Sequence, residues 1–459
     1  MTNDNQSSKY AKMIYTPIPE LVISLAFPTI ASMLVSNIYN LVDTAFVSSL
    51  GNSASGAVGV VFGYMAILQA VGFLFGQGAG SIIARKLGEK KVEEAHVVAS
   101  TGFAASFIMS EILQILTFVF MDQLVDKLGS TDTIAPYARD YIIWIAIAAP
   151  FLVMSFTMNS ILRYEGKAYL GMIGMMSGAI INIGGDALFI FGFKMGISGA
   201  GLSTALSQVV GFTILLFMFL SGRTASKLSF KYLKKWTISL FIDIFMTGFP
   251  SLVRQVLNSI TTVLLNTKAR VYTDTAVAGM SIASRITMFT FSIALGIGQG
   301  FQPVSSFNYG AGQYSRVRKA YKFTTILATV VIIILCTGLQ IRPDLLIRLF
   351  RNDPEVIEIA TRALRLQALA QVILPFCVVT EMACQSTGKK FFATTLSMIR
   401  NGVFFIPSLI VLANVRGLAG IQEAQPVSQV LSVFPVIIIC IVYFARMPKT
   451  DKSLAINES

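Results

Sequence analysis

Residues 21–50 read LVISLAFPTIASMLVSNIYNLVDTAFVSSL, and Asp43 is the only charge among them. A helix needs roughly 20 predominantly apolar residues to cross a hydrocarbon core, and this run exceeds that length. Outside it the texture stays the same. The 459-residue chain is 54% hydrophobic and 13% charged, against about 25% charged residues in soluble domains. Mean hydropathy is +0.70. So much apolar surface needs lipid as solvent, and the composition predicts an all-α membrane protein.

Hydropathy places twelve transmembrane helices at 21–48, 55–84, 94–121, 136–162, 168–191, 197–220, 240–268, 276–304, 318–341, 358–386, 391–413 and 418–445. Several exceed the bilayer thickness, which predicts tilt or extension into water. Lys and Arg gather in alternate connections: Lys9 and Lys12, 85–91, 163–167, 223–235, 316–322, 389–390 and the C-terminal tail. By the positive-inside rule these lie in the cytoplasm, with both termini. The net charge of +13 therefore reads as topology, and no nucleic-acid partner is expected. The connection 342–365 carries five arginines on the opposite side, balanced by Asp344, Asp353, Glu355 and Glu358. Residues 1–19 are polar, so no signal peptide is expected. Cys336, Cys377, Cys384 and Cys440 lie in apolar segments without metal-ligand spacing, and the one histidine, His96, is placed in a polar loop. Neither disulfides nor a metal site is expected.

The chain repeats itself. Phe27-Pro28 recurs as Phe249-Pro250, Gly76-Gln77-Gly78 as Gly298-Gln299-Gly300, Gly88 as Gly310, and Gly166-Lys167 as Gly388-Lys389, each 222 residues on. Ser207-Gln208-Val209 recurs as Ser428-Gln429-Val430 at an offset of 221. Each half holds six helices, an even number, so the halves insert in the same orientation. The expected organisation is a cytoplasmic tail 1–19, a six-helix lobe 20–222, a basic linker 223–239, a second six-helix lobe 240–445 and a tail 446–459. The lobes would be parallel and related by a pseudo-two-fold axis along the membrane normal, as in many secondary transporters. Lys231, Lys234, Lys235 and Trp236 give the linker the look of an interfacial anchor.

Intramembrane charge points to function, because a carboxylate at mid-bilayer costs roughly 2.5–3.5 kcal/mol. Asp43 has Tyr39 one turn earlier, and Asp186 has Asn182 one turn earlier, each pair on one helix face. Asn159 and Thr204 could add polar groups. Burial disfavours the ionised form of a carboxyl group, and two close carboxyls disfavour joint ionisation. Such groups can take up a proton on one side and release it on the other. Sodium could substitute, given carboxylate, amide and hydroxyl oxygens. Pro28 removes a backbone hydrogen bond from the first helix, so a bend there is cheap. One charge crossing 100 mV supplies about 2.3 kcal/mol, a concentration ratio of a few tens for a neutral substrate.

The residues that carry these features resemble the multidrug and toxic compound extrusion (MATE) family over nearly the whole chain. The resemblance rests on Pro28 and the run Tyr39-Asn40-Leu41-Val42-Asp43-Thr44. It rests also on the Gly-Gln-Gly segment, Ala84-Arg85-Lys86-Leu87-Gly88, Glu93-Glu94-Ala95, and the second-half copies with the Gly166-Lys167 turn. With its acids in the first half, the chain is most similar to the DinF-type branch. The resemblance implies a two-lobe fold with a central cavity in the cell inner membrane. It implies export of amphipathic, often cationic, small organic compounds by antiport against protons or sodium, with no other cofactor. A monomer is expected. The resemblance also implies one ion-coupling cluster of Tyr39, Asp43, Asn159, Asn182, Asp186 and Thr204, with Pro28 as the bend.

The second half departs from the first. The repeat sets Glu381 opposite Asn159 and Asn266 near the counterpart of Asp43, while helix 7 carries Arg254 and Gln255. Glu381 is a candidate second ion or substrate group, or else the partner of Arg254 or Arg285. Glu111 has no assigned role. Met154, Met158, Met172, Met175, Met176, Met280, Met288, Met382 and Met398 could line an adaptable cavity. Gly174 and Gly178 read as close helix packing. A lipid-linked saccharide flippase is the nearest alternative, but the acidic first lobe and twelve helices favour the exporter. A membrane-embedded enzyme is not expected: with one histidine the chain lacks a Ser-His, Cys-His or nucleotide-binding motif. A channel would need a repeated selectivity sequence.

Overall fold

The computed structural model describes residues 10–453; Lys9 and the ends of both tails lie outside the described residues. Twelve helical segments are long and apolar, one of them bent. They are α1 (Ile18–Ser48), α2 (Asn52–Gly88), α3 (Val92–Val119), α4 (Ala135–Tyr164), α5 (Ala168–Asp186, extended by a π-helical turn Ala187–Gly192) and α6 (Gly196–Leu220) in the first half. The second half holds α7 (Ile238–Arg270), α8 (Asp274–Gly310), α9 (Tyr314–Ile341) and α10 (Pro354–Gln371 with Leu374–Ser386). It ends with α11 (Lys390–Met398, a π-helical turn Ile399–Val403, and Phe405–Arg416) and α12 (Leu418–Ala445).

Eleven of these qualify singly as spans among the described residues, and α10 makes the twelfth as a pair bent by 49°. The sequence predicts that span as one helix. It breaks before Pro375, which stands at the start of its second part and cannot donate to the preceding turn. The connection 342–365 is also built rather than loose. It contains a short helix, Pro343–Arg348, and Asp353 caps α10 through the amides of Glu355 and Val356.

Packing crosses the boundaries that the helix count suggests. One compact unit holds Ala31–Gln255 with the residues before Thr16; the other holds Thr16–Ile30 with the chain from Val256. The start of α1 thus packs with the second unit and the start of α7 with the first. Close-packed glycines account for this. In the first unit a methyl group on Gly248 would overlap the Leu74 carbonyl, and one on Gly78 the Ile244 carbonyl. In the second unit Gly300 and Gly296 leave no room for a methyl group beside Ala26 and Ile30. The Gly-Gln-Gly segment therefore serves close helix approach. The division of α1 falls just after Pro28, and that of α7 just after Pro250.

Each unit has its own apolar core. Leu68, Phe75, Ile83, Ile142 and Leu152 are among the buried residues of the first, and Ile332, Leu364, Val378, Leu409 and Ile421 of the second. Gly174 packs on Leu215 and Gly178 on Ser207, joining α5 to α6. The second unit adds a polar seam between α8 and α10. Thr287 donates to Gln367 at 3.1 Å, Thr290 to Gln371, and Gln302 to Gln385 at 3.1 Å, all buried. Such interhelical hydrogen bonds each contribute about 0.6 kcal/mol within a bilayer.

Candidate functional site

Asp43 lies in the second half of α1 and is 3% exposed. The Tyr141 hydroxyl of α4 donates to both its carboxylate oxygens, at 3.3 and 3.1 Å. The same hydroxyl stands 3.3 Å from Thr204 Oγ1 on α6. Thr204 in turn accepts from the Asn182 amide of α5 at 3.1 Å, and that amide also reaches Asp186 Oδ1 at 3.5 Å. Ser203 holds the Asn182 carbonyl at 3.0 Å. One hydrogen-bonded chain therefore links α1, α4, α6 and α5.

The two carboxyl groups lie close enough to act on each other electrostatically. Two ionised carboxylates have only acceptors and repel each other out of water, so a proton on one of them removes the repulsion. Among the described residues, the buried Asp186 Oδ2 has no hydrogen-bond partner and is open to a proton or an ion. Tyr39, buried at 9% exposure, is close to both acids. Asp186 is also the last residue before the π-helical turn of α5, and such wide turns recur at functional sites.

Tyr39 and Asn182 line a cavity of about 20 Å³ with Ser155, Met175, Ser207 and Gln208. That is room for one water or a bare ion, whereas an organic substrate needs at least about 300 Å³.

The structure thus brings together Tyr39, Asp43, Asn182, Asp186 and Thr204. It puts Asn159 elsewhere: its amide packs against Gly171, near the start of α5. Asn159 lies about five turns along α4 from Tyr141. Tyr141 escaped the sequence reading, although a tyrosine hydroxyl in an apolar helix signals a polar partner.

In the second unit Glu381 is 1% exposed. It accepts from Ser397 at 2.7 Å, and Arg400 stands 3.5 Å from its other oxygen. Arg400 belongs to the π-helical turn of α11 and lies 5.7 Å from the Phe291 ring. Arg400 is thus an ion partner of Glu381 beyond the two arginines that the sequence suggests, of which Arg285 is exposed. With Arg400 beside it, Glu381 carries little net charge to offer a ligand. Pro28 stands inside α1, which runs as one unbroken helix. Glu111 is half-buried. Of the methionines, Met158, Met280 and Met382 are core residues, Met288 and Met398 are exposed, and Met175 lines the small cavity. Cys336, Cys377 and Cys384 are buried thiols. His96, expected in a loop, sits buried in the second turn of α3.

A multi-span helical protein with a buried acid pair inside one compact unit has the architecture of a membrane transporter. Comparison makes this specific: the MatE family model matches residues 28–188 and 250–411, and the chain belongs to that family. The Multidrug export protein MepA of Staphylococcus haemolyticus is 27% identical over 98% of this chain and 97% of its own. A crystal structure of a MATE protein in complex with MaL6 matches with a TM-score of 0.91 at 24% identity, over 96% of this chain and 99% of the other. A MATE structure described as the bent conformation matches with a TM-score of 0.88 at 24% identity, over 95% and 98%.

Proposed function

We propose that this protein is a secondary active exporter of amphipathic, often cationic, organic compounds, coupled to protons or sodium through Asp43 and Asp186. The carrying observation is the buried carboxyl pair joined to Tyr141, Thr204 and Asn182. Family membership and the export function named for MepA support the exporter reading. The Lys and Arg distribution supports cytoplasmic termini, and the family likeness supports residence in the cell inner membrane as a single chain.

The mechanism follows from the geometry. With a proton between them, Asp43 and Asp186 attract, and α1 is drawn onto α5 across a cavity too small for substrate. Without the proton the two carboxylates repel, at close range and out of water. The lower part of α1 packs in the other unit, so the upper part is the segment left to move. Pro28 stands just before that division and supplies the hinge. Proton or sodium uptake then closes the first unit and expels substrate; ion release inward reopens it. A monovalent cationic substrate exchanged for one proton would feel only the pH gradient.

The test is reconstitution in liposomes with proton and sodium gradients imposed separately. One gradient must drive uphill dye movement. Failure of both would overturn the antiporter reading.

A further inference from the structure

The linker between α6 and α7 is held in a way that an anchor does not require. Thr224 and Ser226 are 1% and 0% exposed, although the linker is polar and basic. Glu165, one residue past α4, accepts from the amides of Ala225 and Ser226 at 2.6 and 2.8 Å and from the Ser226 hydroxyl. Nδ1 of His96 accepts from the Lys227 amide at 3.1 Å. Ser100 accepts from the Ser229 amide at 3.2 Å and donates to the Lys227 carbonyl at 3.3 Å. Lys235 pairs with Glu93 at 3.3 Å. Five residues of linker are thus fastened to the ends of α3 and α4, all within the first unit.

Two of these fastenings are titratable acceptors, and both fail in the same direction. His96 can accept from Lys227 only as the neutral ring with its proton on Nε2; protonation turns Nδ1 into a donor facing a donor. A protonated Glu165 exchanges charge-assisted bonds for weaker neutral ones. Lys227 and Glu93 are the charged groups that face His96, and the Tyr232 ring lies 5.0 Å away. Lys167 is the charged group facing Glu165, whose burial pushes its carboxyl above the ordinary range against the pull of its donors.

The second unit supplies an internal contrast. Its C-terminal tail docks on the start of α9, where Asp451 accepts from the Ser315 amide at 2.8 Å and Arg318 donates to the carbonyls of Met447 and Pro448 at 3.2 and 2.6 Å. Arg318 stands 222 residues after His96, at the same place in the repeat. One unit uses a permanent donor there and the other an acceptor that protonation abolishes.

We infer that His96 and Glu165 form an acid-released latch, which frees the linker from the first unit when the cytoplasmic side acidifies. The linker joins the last helix of one repeat to the first helix of the next, so its release loosens the start of α7.

Hydrogen–deuterium exchange on the full-length protein in nanodiscs tests this, with rates corrected for the intrinsic pH dependence of exchange. Protection of the 225–229 amides falls roughly two- to tenfold between pH 7.5 and 5.5, the equilibrium worth of a hydrogen bond or two. Protection at Ser315 stays constant. His96→Gln, whose amide oxygen accepts at any pH, reduces the response, and His96→Gln with Glu165→Gln flattens it. Constant protection in the native protein overturns the latch, as does a double variant that titrates like the native chain. The readout needs no substrate, so its outcome is separate from that of the transport assay.

Discussion

Tyr141→Phe removes a single oxygen, and the structure sets the consequence. The hydroxyl donates to both oxygens of Asp43 at 3.3 and 3.1 Å and bridges to Thr204 at 3.3 Å. The ring is 1% exposed, and phenylalanine fills the same space, so the fold should persist. Lost is a donor that stabilises the ionised form of Asp43. A hydrogen bond to a charged group is worth about 1.5–3 kcal/mol in soluble proteins, while bonds between membrane helices average about 0.6 kcal/mol. A value near 1 kcal/mol corresponds to roughly a fivefold easier ion uptake, or somewhat under one pH unit, since one unit is 1.36 kcal/mol. With the donor gone, the proton is held more tightly. If protons are the coupling ion, the midpoint of efflux against pH moves up by about half to one unit in proteoliposomes, and inward release slows. An unchanged midpoint, or one that moves down, would refute the role assigned to this hydroxyl.

Other outcomes follow from the same geometry. Asp43→Asn abolishes gradient-driven export of a cationic dye while expression, read by fluorescence-detected gel filtration, stays normal. Arg400→Gln takes a buried cation from beside the buried Glu381 and lowers stability by about 3–5 kcal/mol; combining it with Glu381→Gln restores most of the loss, and a double variant as unstable as the single one would disprove the pairing. Gly248→Val drives a side chain into the Leu74 carbonyl, so the yield of folded protein collapses, whereas Gly184→Ala, where open space surrounds the site, is tolerated.

The helix count and the repeat are legible in the sequence because lipid imposes length and apolarity on every span. Tyr39 with Asp43, and Asn182 with Asp186, were equally readable, since each pair lies one turn apart on one helix. Contacts between helices were not. Tyr141 stands 98 positions from Asp43, and nothing local reports which helix face meets which. Asn159 shows the same limit, because its depth along α4 relative to α5 depends on packing. Arg400 was within reach: an arginine inside an apolar helix carries the insertion cost that singled out Asp43, and a partner such as Glu381 is the natural consequence. The bend of α10 had its signal in Pro375. The fastening of the linker had none, because His96 and Glu165 look like ordinary loop polarity until the chain folds back on them.

The account turns on whether Asp43 and Asp186 bind one ion as a unit. The most direct measurement is gradient-driven transport in proteoliposomes for the native chain, Asp43→Asn, Asp186→Asn and the double variant. A shared site predicts that each single change abolishes coupling and that the double is no worse than either. Coupled transport that survives in either single variant would contradict it.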